Sequence, residues 1–130
     1  MDGAVELVRN LHNAGIPVAV ASSAPIETIK GNMIRFGIEQ YIDHFVSGTE
    51  CVRGKPDPEI YLKAASLLKA DPADCIAVED SASGVSAVKA AGMYCIGFVP
   101  PKAVPQDISI ADEIITSLYD IISITESRLL

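Results

Sequence analysis

Several features that mark large functional classes are scarce or missing in this sequence. There are only three cysteines, Cys51, Cys75 and Cys95. Their odd number and lack of Cys-x-x-Cys spacing suggest neither a disulfide framework nor a zinc site, and fit a reducing, cytoplasmic setting. Basic charge is also short, with 10 Lys and Arg against 17 Asp and Glu and a formal net charge of -7. Affinity for a phosphate backbone comes from clustered basic side chains, so nucleic acid is not an expected partner. No apolar run approaches the ~20 residues needed to span a bilayer, and the N-terminus lacks the basic and apolar regions of a signal peptide, so no membrane partner is expected. Phosphate-cradling Gly-rich loops and the Gly-x-Ser-x-Gly elbow are absent too. His12 and His44 have no metal-ligand spacing and read as surface or packing residues.

What remains is 130 residues that are 49% hydrophobic and 21% charged. A chain of this size buries roughly two thirds of its unfolded surface, enough for a core without staples. Neither repeat nor linker is visible, and residues 1–130 are expected to belong to one domain.

Val5, Leu7, Val8 and Leu11 have helical spacing and predict a helix over residues 3–14. Ile16 to Ala21 is a continuous apolar run, the pattern of a parallel strand covered on both faces. Pro25 fits the first turn of a second helix, with Ile26, Ile29, Met33 and Ile34 expected on its buried side. A short strand is predicted over Phe45 to Ser47, followed by a helix of about 12 residues beginning near Pro58 and capped by Asp57. Cys75 to Val78 reads as the next buried strand, Gly84 to Gly92 as a small-residue helix and Tyr94 to Val99 as another strand. A last strand is expected at Asp112 to Ile115 and a helix at Leu118 to Ile124. This alternation implies an α/β fold in three layers, a parallel sheet with helices on both faces. Ligands of such sheets bind beyond the carboxyl ends of the strands, which points to the residues after Ala21, Ser47 and Val78.

Three constellations collect there, each with an ordinary alternative. Ser22 and Ser23 precede a helix N-terminus, where hydroxyls and backbone N–H groups can hold phosphate; one serine merely capping the helix is the alternative, and for an isolated Ser-Ser the preferred one. Lys55 stands ahead of a helix start, where the helix dipole disfavours a cation unless an anion lies nearby. A solvated loop lysine is the alternative, although Gly54 and the Pro56-Asp57-Pro58 segment restrict the loop. Glu79 and Asp80 are adjacent carboxylates that repel unless solvated, protonated or neutralised. A hard divalent ion such as Mg2+ would settle them, and a solvated turn with Asp80 or Ser81 capping the next helix would do so as well.

In order, Val18 to Ala24 (Val-Ala-Val-Ala-Ser-Ser-Ala), Gly54 to Tyr61 (Gly-Lys-Pro-Asp-Pro-Glu-Ile-Tyr) and Ala77 to Gly92, which opens Ala-Val-Glu-Asp-Ser, resemble the haloacid dehalogenase-like superfamily. The resemblance is closest to the β-phosphoglucomutase and phosphoglycolate phosphatase branch and runs from residue 3 to about residue 115. It implies that Ser22 is the hydroxyl that binds the transferring phosphoryl group, that Lys55 is the charge-neutralising lysine, and that Asp80 and Glu79 are Mg2+ ligands. The family's first motif, an Asp-x-Asp carrying the nucleophile and the general acid/base, occurs nowhere in the sequence.

The expected fold is therefore a haloacid dehalogenase-like Rossmannoid core that is incomplete, without its first strand and helical cap, Met1 starting where the cap would return. The expected function is the C-terminal part of a Mg2+-dependent phosphatase or phosphomutase of small phosphorylated metabolites, inactive alone because covalent transfer needs the missing carboxylate. The alternative is a noncatalytic interaction module or the remnant of a disrupted gene, its site residues inherited but idle. A receiver domain fits poorly, since its acidic cluster precedes the hydroxyl and lysine. The missing strand would leave two apolar edges, either to pair directly as the sheet closes up or, the favoured expectation, to be covered by an N-terminal complementing segment or by a strand-swapped homodimer.

Overall fold

Helices and short strands alternate along the chain in the computed structural model, which describes residues 3–104 and 106–129. Met1, and with it the expectation attached to it, lies outside the described residues. The order is α1 (Ala4–Asn13), β1 (Ala19–Ser22), α2 (Ile26–Arg35), β2 (His44–Ser47), α3 (Glu59–Leu67), β3 (Ile76–Glu79), α4 (Ala82–Ala90), β4 (Tyr94–Phe98), β5 (Glu113–Ile115) and α5 (Asp120–Leu129). Every predicted element is present, with ends displaced by a few residues.

Two displacements have clear causes. The strand predicted from Ile16 starts at Ala19, because Val18 is already engaged outside the ladder: its N–H donates to the Asp43 carboxylate at 2.8 Å and its carbonyl accepts the Asp43 N–H. The third helix begins one residue late, with Pro58 in the cap position and no side-chain cap. Asp57 instead accepts the Glu59 N–H at 3.0 Å, a turn contact that satisfies one orphan donor from just outside the helix. On α2, Ile29 is buried but Ile34 is 63% exposed. Five residues turn an α-helix by about 500°, so Ile34 points roughly 140° away from Ile29.

Among the described residues all strand pairings are parallel, as alternation required, but they form two sheets rather than one. In the first, β1 pairs with β2, Ser22 opposite Ser47. In the second, β4 lies between β3 and β5. One apolar cluster joins them: Ile60, Tyr61, Ala64 and Ala65 of α3 and Val85, Ala87 and Val88 of α4 pack with Val46 of β2, Cys95 of β4 and the half-buried Ala19, Ala21 and Ala77. On the opposite face of the larger sheet, Leu7 of α1 and Ile121 of α5 pack with Ile96, Phe98, Ile115 and Leu118. The result is a three-layer α/β arrangement in which β1 and β3 are both edge strands. Among the described residues no helix is long and apolar enough to cross a membrane.

Candidate functional site

Ser22 ends β1, Glu79 ends β3 and Asp80 follows it, so the polar residues after the apolar runs stand at carboxyl ends of parallel strands. At the first of these ends the Ser22 hydroxyl oxygen accepts the Ala24 N–H at 3.2 Å. That contact uses a lone pair and leaves the hydroxyl proton available to donate. Ser22 is half-buried and Ser23 exposed, just before the ten-residue helix α2. Pro25, with no side chain able to cap, occupies the cap position of that helix.

The cation that the β2–α3 loop places ahead of α3 has found its anion inside the protein. Lys55 Nζ donates to Glu79 Oε2 at 2.5 Å, in a pair whose side chains are 16% and 8% exposed. The buried Tyr61 hydroxyl donates to the same oxygen, and the ammonium lies 5.4 Å from the Tyr61 ring centroid, within cation–π range. On the other oxygen, Oε1, Glu79 accepts the Asp80 N–H at 3.2 Å and the Ser81 hydroxyl at 3.4 Å. Burial alone would raise the Glu79 pKa, but the hydrogen bonds from Lys55 and Tyr61 and the Lys55 charge outweigh it and hold the carboxyl below its ordinary value. Tyr61 responds oppositely: burial, then the Glu79 charge, push its phenol well above the ordinary range.

A small residue makes this burial possible. Gly84, in the first turn of α4, lies so close to the Glu79 carboxyl that a Cβ there would overlap it. Ser81 caps α4, its hydroxyl oxygen accepting the Gly84 N–H at 3.0 Å, so the turn after β3 has the capping function that competed with the metal reading.

Glu79 and Asp80 thus resolve their mutual repulsion differently. Glu79 is buried and neutralised by Lys55, whereas Asp80 is exposed. Asp80 borders a cleft of about 250 Å³ lined by Phe98, Val99, Val104, Gln106 and Ile108 among others. A larger open depression of about 760 Å³, lined by Val52, Arg53, Asp57 and Lys63 among others, includes none of the candidate residues. Among the described residues no group of three or more His, Cys, Asp or Glu side chains forms a metal cage. Mg2+ does not need one: it uses one or two carboxylates, with waters and substrate phosphate completing the shell. The exposed Asp80 fits that donor set, and Glu79 fits it if one of its oxygens is released.

Lys55, Glu79 and Asp80 are brought together; no hydrogen bond or ion pair among the described residues links Ser22 or Ser23 to them. Tyr61 closes the Gly54–Tyr61 segment but was given no role by sequence reasoning; its signals were that placement and a polar tip on the apolar face of α3. Ser47, fully buried at the end of β2, was noticed only as a strand end.

The family model of haloacid dehalogenase-like hydrolases matches residues 1–92. A bifunctional riboflavin kinase/FMN phosphatase from Arabidopsis thaliana is 44% identical over 124 residues, covering 93% of this chain and 32% of that protein. β-Phosphoglucomutase from Bacillus subtilis is 38% identical over 97 residues, covering 75% and 42%. The crystal structure of a haloacid dehalogenase family hydrolase from Deinococcus radiodurans, with bound phosphate and sodium, superposes with a TM-score of 0.90 at 29% identity and covers 100% of this chain and 61% of its own. The chain therefore spans less than half the length of these two curated relatives. With this fold, these strand-end residues and this match over most of its length, the chain belongs to the haloacid dehalogenase-like hydrolases, in the β-phosphoglucomutase-like branch.

Proposed function

We propose that the chain supplies the phosphate clamp and metal ligands of a Mg2+-dependent phosphatase or phosphomutase acting on small phosphorylated metabolites of the phosphosugar type. In this reading residues 1–130 are the C-terminal portion of one haloacid dehalogenase-like core, working in the cytoplasm. The aspartyl nucleophile comes from a segment that also pairs with the free edges of β1 and β3. An N-terminal complementing segment is the favoured source, since a strand-swapped homodimer would cover the edges without providing an Asp-x-Asp.

The observation that carries the reading is the placement of Ser22, Glu79 and Asp80 at carboxyl ends of parallel strands, with Lys55 held against Glu79. The Ser22 hydroxyl would donate to a phosphoryl oxygen, and the first turn of α2 would add backbone N–H groups. Lys55 would offset charge on the same group, and its tie to Glu79 keeps the ammonium in place. Asp80, with Glu79 as second ligand, would hold Mg2+. When bound, Mg2+ supplies positive charge that stabilises the phosphoryl oxygens.

Calorimetric titration of the protein with Mg2+ and inorganic phosphate, together with p-nitrophenyl phosphate turnover, tests this. Both ligands are expected to bind, Mg2+ more weakly in Asp80→Ala and phosphate more weakly in Ser22→Ala, with no turnover by the chain alone. Turnover that disappears in Asp80→Ala would overturn the externally supplied nucleophile. Absence of binding of either ligand would overturn the enzymatic reading and leave a noncatalytic interaction module.

A further inference from the structure

Ser47 is the most buried polar residue among those described, with no exposed surface, yet none of the proposed chemistry uses it. Its hydroxyl donates to the Ala24 carbonyl at 2.5 Å, and its oxygen lies 2.7 Å from Thr49 Oγ1 and accepts the Thr49 N–H at 3.2 Å. The protons can be assigned by counting. A carbonyl can only accept, so the single Ser47 proton goes to Ala24, and Thr49 Oγ1 must donate to Ser47. The Ser47 oxygen therefore makes one donated and two accepted bonds and has no capacity left for a ligand.

We propose that Ser47 is a positioning residue for the turn after β1. Its hydroxyl latches that turn to the end of β2 and so fixes where the Ser22 hydroxyl points. The inference rests on reading Ser22 as the phosphate clamp and deepens it. Ala24 is held at both ends, its N–H by Ser22 Oγ and its carbonyl by Ser47 Oγ. Release of the carbonyl frees the residue whose N–H orients Ser22. Ser22 and Ser47 are also register partners, so the two turns leave the sheet side by side. Gly48 permits the close approach, since a Cβ there would come within 3.0 Å of the Ser23 Cα. An alanine at position 47 would leave the carbonyl of the half-buried Ala24 without its hydroxyl donor, a loss that water replaces only in part, while the exposed Thr49 donors turn to solvent.

The test uses NMR on the full chain: inorganic phosphate titration and amide hydrogen exchange in the wild type, Ser22→Ala, Ser47→Ala and Ser47→Thr. Ser47→Ala is expected to weaken phosphate binding about tenfold, the equivalent of one buried hydrogen bond. It should speed exchange of the Ala24 amide and leave the Ile96 amide in β4 unchanged. Ser47→Thr, which keeps the hydroxyl, should restore both. The latch is overturned by wild-type affinity and Ala24 exchange in Ser47→Ala. It is equally overturned by faster exchange at Ile96 as well as Ala24, which would mark a general packing role, or by failure of Ser47→Thr to rescue. Wild-type protein that binds no phosphate, or Ser22→Ala that binds it unchanged, overturns the clamp reading instead, while exchange at Ala24 still reports on the hydrogen bond itself.

Discussion

In the three-stranded sheet, Cys95 and Ile96 of β4 have no exposed surface, being flanked by β3 and β5 and covered by helices on both faces. In the two-stranded sheet, all four residues of β1 remain half-exposed although three are Ala or Val. The difference follows strand position more than composition. Val78 of β3, the other inner edge, is 40% exposed despite an apolar run as strong as that of β4. An apolar strand records where the chain is meant to be buried; the burial itself needs neighbours on both sides. In the proposed reading β1 and β3 share one absent neighbour, and the shared α3–α4 cluster and the Lys55–Glu79 pair bind the two regions together.

The largest expected effect comes from breaking that tie. Glu79→Ala leaves the Lys55 ammonium unpaired in a mostly buried site and should cost about 3–5 kcal/mol in urea denaturation. A loss below about 1 kcal/mol would mean that the pair does not join the two regions energetically. Next in size, Ile96→Ala in β4 should cost about 2–5 kcal/mol, against about 1 kcal/mol for Val20→Ala in the half-exposed β1. Equal costs would break the comparison between the sheets.

The smallest effect concerns pH. Burial, then the Asp112 charge, raise the Cys95 thiol from 9.0 to about 11. The folded protein thus holds this proton more tightly than the unfolded chain. Its contribution to stability is complete below about pH 9 and is lost as pH rises towards about 11, at about 1.4 kcal/mol per pH unit at most. Denaturation midpoints at pH 7 and pH 10 should therefore fall less in Cys95→Ala than in the wild type. The same pair of measurements on Cys51→Ala should show a smaller difference, because Cys51 sits at a more exposed position after β2. A larger effect at Cys51 would reverse the expected ranking of the two regions.

Element type and order were legible because periodicity, Pro25 and the serine and acidic stops act over a few residues, and short-range sterics enforce them wherever the chain goes. Ser22, Glu79 and Asp80 were legible for the same reason, as polar residues directly after apolar runs. The need of Lys55 for an anion could be read from the dipole of the helix it precedes, but not the partner's identity. Glu79 lies 24 residues away, and only packing of α3 against α4 brings the two together. The contacts of Tyr61 with Glu79 and of Ser47 with Ala24 were not legible, since an apolar helix face and a strand end accept a hydroxyl only where the fold supplies a partner. The sequence by itself determined the alternating elements, their parallel sense and the acidic, serine-bearing strand ends. Tertiary structure alone decided that β1 and β3 do not pair, that Glu79 is buried against Gly84 while Asp80 faces solvent, and that Ser47 reaches Ala24. The strand pairing and the Ser47 contact depend on atoms distant in the chain meeting at one distance and angle, and the burial of Glu79 depends on Lys55 arriving from 24 residues away, which no local pattern encodes.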